Sequence, residues 1–313
     1  MKNKNILVTG GAGFIGSNLV KALCNDNHVT VLDDYMSGHF ENISDLSCDI
    51  IQGDVRDKDV INEAMRNVNI VFHLAASVGN KRSIDNPLLD AEINVLGTLN
   101  VLESARKHNV SKVIISSSAG IFGELKTYPI KEDHPIEPDS PYGCTKLCEE
   151  KLGLSYAKLY DVDVICLRYF NVYGPNQRFD AYGNVIPIFV FRMINNLPLL
   201  IYGDGEQTRD FVHVNDVVQA NIKAAESIGI SGAFNIASGT KVTINYLTKL
   251  ITDNYNDPFT LEHAPERPGD VKHSLADISL AYNRIGYIPE VNLIKGIKEY
   301  VEWAINFSKK HEY

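Results

Sequence analysis

Ile6-Leu7-Val8-Thr9-Gly10-Gly11-Ala12-Gly13-Phe14-Ile15-Gly16 is the stretch that decides the fold. Its apolar opening, residues 6–9, reads as a buried parallel strand. Glycines follow at once, and then an amphipathic stretch over residues 17–23. Strand, glycine turn and helix in this order are the context of a dinucleotide fingerprint. Gly10, Gly13 and Gly16 permit a tight turn, close backbone approach to a pyrophosphate and close helix–strand contact. The helix N-terminus, with Phe14 and Ile15, then faces the phosphates.

The next strand, His28-Val29-Thr30-Val31-Leu32-Asp33, ends in an acid. Asp33 stands about 20 residues beyond the glycines, where an acid binding the adenosine ribose belongs. It repels a 2′-phosphate, and no arginine lies between Asp33 and Arg56 to receive one. The expected cofactor is NAD rather than NADP.

Further out, residues 49–54, 69–74, 111–118 and 162–167 read as strands, and 55–67, 85–107 and 141–159 as helices. This alternation predicts an α/β fold: a doubly wound parallel (Rossmann) sheet with helices on both faces. Ligands should collect at the carboxyl ends of the strands, beside Gly10, Asp33, Asp54, Ala75 and Ser118. After Arg168 loops dominate, separated by helical pieces at 186–196, 214–227 and 243–254. Residues 234–237 read as one more strand. We expect a dinucleotide-binding domain over 1–170, with about 212–240 returning to it. A smaller, interleaved α/β substrate domain would take 171–211 and 241–313.

Composition narrows the partners. Among 313 residues, 30 basic and 39 acidic side chains give a net charge of −9, which argues against a nucleic-acid partner. Five cysteines without a C-x-x-C pair argue against a disulfide framework or a zinc site, so no metal is expected. Cys144 and Cys148 read as small packing residues. Too few apolar residues precede the glycines for a signal peptide, and no apolar run is long enough to span a bilayer. The expected protein is soluble and cytoplasmic, without a membrane partner.

The chemistry sits in Ser140-Pro141-Tyr142-Gly143-Cys144-Thr145-Lys146. Ser140 suits an N-cap and Pro141 the first helical position. Tyr142 and Lys146 then share a helix face. A phenol is a poor base at neutral pH; a neighbouring cation favours the phenolate. Bringing its pKa from about 10 to about 7 takes roughly 4 kcal/mol.

In chain order the sequence carries Gly10-x-x-Gly13-x-x-Gly16, Asp33, Gly53-Asp54-Val55, His73-Leu74-Ala75-Ala76 and Ser116-Ser117-Ser118. Tyr142-x-x-x-Lys146, Arg168-Tyr169-Phe170-Asn171-x-Tyr173-Gly174-Pro175, Gly203-Asp204-Gly205, Arg209-Asp210-Phe211 and Arg267-Pro268-Gly269-Asp270 follow. Over almost its whole length the chain resembles the extended short-chain dehydrogenase/reductase family, and within it the nucleotide-sugar epimerases. The resemblance implies a catalytic triad of Ser118, Tyr142 and Lys146, with Tyr142 as base, Lys146 lowering its pKa and holding the nicotinamide ribose, and Ser118 orienting a sugar hydroxyl. It implies cofactor contacts at Gly10, Gly13, Phe14, Ile15, Gly16, Asp33, Asp54, Val55, Leu74, Ala75, Ala76, Asn94, Ser116 and Tyr169. It implies a nucleoside-diphosphate site at Asn171, Arg209, Phe211, Arg267 and Asp270. Two arginines in glycine/proline-rich loops suit a diphosphate in an otherwise acidic protein.

Family dehydratases carry an Asp-Glu pair after the catalytic hydroxyl residue, and the decarboxylases a Glu. Here Ala119 and Gly120 stand there. The resemblance therefore implies reversible 4-epimerisation of a UDP-hexose through a 4-keto sugar, in a homodimer. Ser274 resembles a gate position where a small residue admits an N-acetyl group. Lys81 and Arg82 keep a UDP-glucuronate 4-epimerase open. A net NAD(P)-dependent sugar reductase and a non-catalytic NAD-sensing protein are the other readings. Phe122 departs from the tyrosine usual in the family.

Overall fold

The computed structural model describes residues 1–177, 184–255, 258–266 and 271–311. In chain order its strands are β1 (Asn5–Thr9), β2 (His28–Asp33), β3 (Asp49–Gln52), β4 (Ile70–His73), β5 (Lys112–Ser118), β6 (Asp163–Tyr169), β7 (Asn171–Tyr173), β8 (Leu199–Tyr202), β9 (Thr208–His213), β10 (Gly232–Ile236), β11 (Lys241–Thr243) and β12 (Leu261–Ala264). Its helices are α1 (Phe14–Leu23), α2 (Lys58–Ala64), α3 (Asn80–Asp85), α4 (Pro87–Ala91), α5 (Thr98–Lys107), α6 (Pro141–Leu159), α7 (Val185–Ile194), α8 (Val214–Glu226), α9 (Ile244–Thr252), α10 (Ser279–Ile285) and α11 (Leu293–His311).

Seven strands form one sheet in the order β10-β6-β5-β4-β1-β2-β3, and every neighbouring pair is parallel. The strand order reverses between β1 and β4, which opens a crevice at their carboxyl ends. Side chains alternate between the two faces, as strand geometry requires. Ile6 and Val8 of β1 join Leu19, Val20 and the α8 valines in one apolar cluster. Leu7 joins Ile61 of α2 and Val101 and Leu102 of α5 in another. The sheet is thus a Rossmann-like α/β sheet, with helices covering both faces.

Beyond β6 the chain builds two small sheets, β11-β9-β7 and β12-β8. Helices α7, α9 and α11 pack on them through a separate cluster that includes Phe189, Leu247, Ile251 and Tyr300. The 214–236 segment returns to the large sheet, where β10 pairs with β6.

Two expected helices differ. The one expected over 85–107 is broken. Asn86 precedes Pro87 and leaves the helical region at φ −140°, as residues before proline tend to. A widened π-helical turn, Glu92–Gly97, then separates α4 from α5. The helix expected over 55–67 shortens to α2, because the Asp57 side chain caps it by accepting from Asp59 N and Val60 N.

Candidate active site

At Gly10 and Gly16 the glycine turn leaves no room for a side chain. Gly10 has φ +70°, and a Cβ there would lie 2.6 Å from the Ala75 nitrogen. A Cβ on Gly16 would lie 2.1 Å from the Gly10 carbonyl oxygen. The turn is therefore pressed against Leu74 and Ala75, and the Leu74 N–H donates to the Thr9 carbonyl at 3.0 Å. Gly13 is the N-cap of α1; no side chain caps this helix, and its first turn holds no acid. Its first N–H groups suit an anion.

At the end of β2, Asp33 accepts from Ala12 N and Tyr35 N, each at 2.9 Å and each through a different oxygen. Burial raises its carboxyl pKa, and those two hydrogen bonds oppose the rise. Both oxygens retain a lone pair for a ribose hydroxyl. A turn that excludes Cβ atoms, an uncapped helix start and a strand-end carboxylate fit a dinucleotide. Asp54 is more occupied. Its oxygens take the Arg56 N–H at 2.8 Å and the Arg56 Nε at 2.9 Å, and this guanidinium holds its carboxyl below the usual range. Neighbouring Val55 is buried.

Ser118 ends β5, and its Oγ accepts from Gly120 N at 3.0 Å to start a 3-10 turn, Ala119–Ile121. A Cβ on Gly143 would lie 2.5 Å from the Gly120 carbonyl, so this turn touches α6 directly. The contact brings Ser118 close enough to Tyr142 to favour its phenolate. Helix α6 starts as its sequence predicts: the Ser140 hydroxyl accepts from Gly143 N at 3.1 Å, with Pro141 in the first turn. Helix α3 holds this start from outside. Ser83 Oγ accepts the Tyr142 N–H at 3.0 Å, and Ser140 Oγ donates to Asn80 Oδ1 at 3.1 Å.

Lys146 is 1% exposed. Its ammonium donates to Glu149 Oε2 at 2.8 Å and to Ser116 Oγ at 3.5 Å. Tyr142 departs from expectation: its pKa lies above the ordinary value. Burial drives it up, Lys146 and Ser118 pull it down, and Glu149 pushes it up again. Lys146 alone therefore does not make the phenol a neutral-pH base in this pocket.

Beneath Ser118, Tyr142 and Lys146 lies a buried polar layer. Asn94, displaced by the π-helical turn, accepts from Ser77 N at 2.7 Å and donates to Thr145 Oγ1 at 3.1 Å. Thr145 donates to Asp90 at 2.6 Å. His73 bridges Thr9 and Thr98 at 2.8 and 2.9 Å, and burial lowers its pKa to about 3. Asn94 thus supports the loop after β4 and the N-terminal part of α6. One residue past Glu149, Glu150 pairs with Arg168 through two bonds of 2.7 and 3.0 Å and also accepts from Ser117 at 3.1 Å. That ion pair ties α6 to β6 and β5.

On the substrate side, Asn171 of β7 lies in register with Phe211 of β9, and its amide donates to the Asp210 carbonyl at 3.0 Å. Arg209 is half-buried, with one guanidinium nitrogen on the Thr208 carbonyl at 2.9 Å. Phe211 is 4% exposed and belongs to the cluster under α7, so packing is its first role. Ser274 is 9% exposed and is fixed by its N–H to the Thr208 carbonyl at 3.1 Å. Arg267 and Asp270 lie outside the described residues. The Tyr169 ring is held in the core, where its hydroxyl bonds Asn221. Phe122 is buried between His134 and the Arg168 guanidinium. Cys144 is exposed rather than packed, because it lies on the outer face of α6; Cys148 is half-buried.

Sequence reasoning missed Glu149, Asp90 and Thr98. Glu149 was open to detection, since three residues along a helix return to the same face as Lys146.

The profile of the NAD dependent epimerase/dehydratase family matches residues 6–237. A putative UDP-glucose 4-epimerase of Methanocaldococcus jannaschii is 39% identical, over 96% of this chain and 98% of its own. Among solved structures, a UDP-N-acetylglucosamine 4-epimerase from Methanobrevibacter ruminantium, in complex with UDP-N-acetylmuramic acid, superposes with a TM-score of 0.94. It is 39% identical, covering 98% of this chain and 100% of its own. The UDP-glucose 4-epimerase of Thermus thermophilus in complex with NAD gives 0.86 at 34% identity, covering 96% and 98%. No helix among the described residues is long and apolar enough to cross a membrane. The chain belongs to the NAD dependent epimerase/dehydratase family.

Proposed function

We propose that the protein is an NAD-dependent 4-epimerase of UDP-hexoses, acting on UDP-glucose/UDP-galactose and on their N-acetylamino counterparts through a transient 4-keto sugar. The observation that carries this reading is Gly120. A Cβ there would lie 3.7 Å from the Tyr142 ring, so a side chain at this position would face the reacting sugar. Gly120 offers none, and Ala119 offers only a methyl group. The acid and base needed to eliminate water are therefore missing from this turn, while Ser118, Tyr142 and Lys146 suffice for one reversible proton transfer.

When bound, NAD supplies an acceptor that takes a hydride from C4 and gives it back. Tyr142 takes the C4 hydroxyl proton and later returns it to the ketone oxygen. Ser118 holds that oxygen beside the phenol, and Lys146 stabilises the phenolate. Asn171, Arg209 and Arg267 anchor the diphosphate, and Asp270 accepts from a ribose hydroxyl, while the sugar presents its other face. In this reading residues 171–211 and 241–313 form the nucleotide-sugar domain, set over a dinucleotide domain of 1–170 and 212–240. Ser274 leaves room for a 2-acetamido group. Leu88, Leu96 and Leu159, exposed at 80, 53 and 70%, support a homodimer through α4–α6, which sedimentation equilibrium tests.

Lys81 and Arg82 keep UDP-glucuronate as a second substrate reading, because α3 carries them within two residues of Ser83 at the Tyr142 N–H. The test is incubation of purified protein with UDP-galactose, UDP-GalNAc and UDP-galacturonate separately, with NAD and no reductant. The 4-epimer should form catalytically from at least one. In a parallel incubation with added NADH, its stoichiometric loss would identify a reductase; no 4-epimer from any of the three sugars without it overturns the reading.

A further inference from the structure

The Lys146–Glu149 contact is unlike any other ion pair in this site. Glu149 is 0% exposed, and its Oε2 receives the Lys146 ammonium at 2.8 Å. Its other oxygen, Oε1, has no hydrogen-bond partner among the described residues. The neighbouring Glu150, by contrast, has both oxygens engaged by Arg168 and Ser117. A half-satisfied buried carboxylate is costly and contributes little to stability. Its clearest effect is electrostatic: it cancels the ammonium beneath Tyr142 and beneath the expected place of the nicotinamide.

We propose that Glu149 is a positioning residue whose negative charge offsets Lys146, keeps a bound nicotinamide on its oxidised side between turnovers and sets the pH at which Tyr142 works. The proposal rests on the NAD-dependent reading above. Oxidised nicotinamide carries a positive charge that the reduced ring lacks. A bare ammonium below it would favour the reduced form, and hence release of an unreturned 4-keto sugar. With Glu149 ionised, the pair is close to neutral and that bias disappears.

The groups facing this pair are Tyr142 on α6, Asp90 on α4, His73 on β4 and Cys166 on β6. Burial keeps His73 neutral by lowering its pKa to about 3, and pushes the Cys166 thiol well above its ordinary range. Burial also raises Glu149, to about 7, against the pull of Lys146. A raised carboxyl pKa means that the charge is present above that value and lost below it. The effect of Glu149 should therefore be full in mild alkali and absent in mild acid.

The test uses holoenzyme with bound nicotinamide, titrated against a two-electron dye couple while the near-ultraviolet band of the reduced ring is followed. At mildly alkaline pH, Glu149→Gln should favour the reduced form by about tenfold, equivalent to about +30 mV for a two-electron couple. At mildly acidic pH the variant and the native protein should coincide. The acid limb of kcat/KM should move to lower pH in the variant, since Tyr142 loses a neighbouring negative charge. Glu103→Gln, which removes an equal charge from α5, where it meets Arg106 and Tyr156, should change neither. A folded Glu149→Gln protein with native potential and native pH limb overturns the proposal. If that variant does not fold, native holoenzyme alone decides: its potential, corrected for the cofactor's own pH dependence, should climb as pH falls through neutrality, and a flat profile overturns the proposal. The potential is measurable whether or not the protein epimerises a sugar, so failure of the proposal and failure of the functional reading are separate results.

Discussion

The residues proposed for the reaction and those proposed for substrate recognition are built into the fold differently. On the reaction side, Tyr142 and Lys146 stand on one helix that the parallel sheet holds from below through Glu150–Arg168, and that α3 holds from above through Ser83. On the substrate side, one carboxylate does most of the joining. Asp210 is buried and accepts from Ser238 N at 2.8 Å, Ser238 Oγ at 2.6 Å, Gly239 N at 3.1 Å and Ala276 N at 3.2 Å. It gathers two loops beside Arg209 and Ser274. In the proposed reading, chemistry thus rests on a multiply braced helix, while recognition rests on short strands and loops. Loop-borne recognition can vary without disturbing the proton-transfer geometry.

The largest expected effect is on the reaction side. Tyr142→Phe should lower kcat by about 10²- to 10⁴-fold, with native thermal stability and native UDP-sugar affinity. Retained turnover would remove Tyr142 as the base. Next, Arg168→Ala leaves Glu150 buried and unpaired. It should destabilise folding by about 3–5 kcal/mol, read by urea denaturation. A loss under about 1 kcal/mol would show that α6 is braced by other contacts.

Asp210→Asn sharpens the contrast. It should cost about 1–3 kcal/mol and raise KM for UDP-sugars more than it lowers kcat, because it loosens the recognition loops. An equal fall in kcat would mean that the two sides are mechanically coupled. The narrowest effect is expected from Ser274→Tyr. Overpacking of this buried position should cost up to about 1–3 kcal/mol, while UDP-GlcNAc turnover falls about tenfold or more relative to UDP-glucose. Intact UDP-GlcNAc turnover would remove Ser274 as a gate.

The same contrast explains what could be read from sequence. The glycine turn, the cap at Ser140 and the strand ends were legible because each depends on residues within one turn or one strand. The π-helical turn at Glu92–Gly97 was not, since it answers to Asn94 reaching Ser77 and Thr145 across the fold. Nor were the small sheets, whose three- and four-residue strands such as β7, β8, β11 and β12 pair over long sequence distances. The upward pKa of Tyr142 escaped for a related reason. Lys146 was visible at its i+4 spacing, but the burial of Tyr142, which does most to raise its pKa, and the nearby Glu149 belong to the folded packing.

The central claim is reversible hydride exchange at one sugar carbon, and an isotope experiment addresses it directly. UDP-galactose deuterated at C4 is incubated with the protein and NAD in ordinary water, and the product is examined by NMR and mass spectrometry. The account predicts UDP-glucose that keeps its deuterium at C4 and takes up no solvent hydrogen at any carbon. Solvent hydrogen at C5 or C6 with loss of the C6 hydroxyl, or loss of the label from C4, would contradict it.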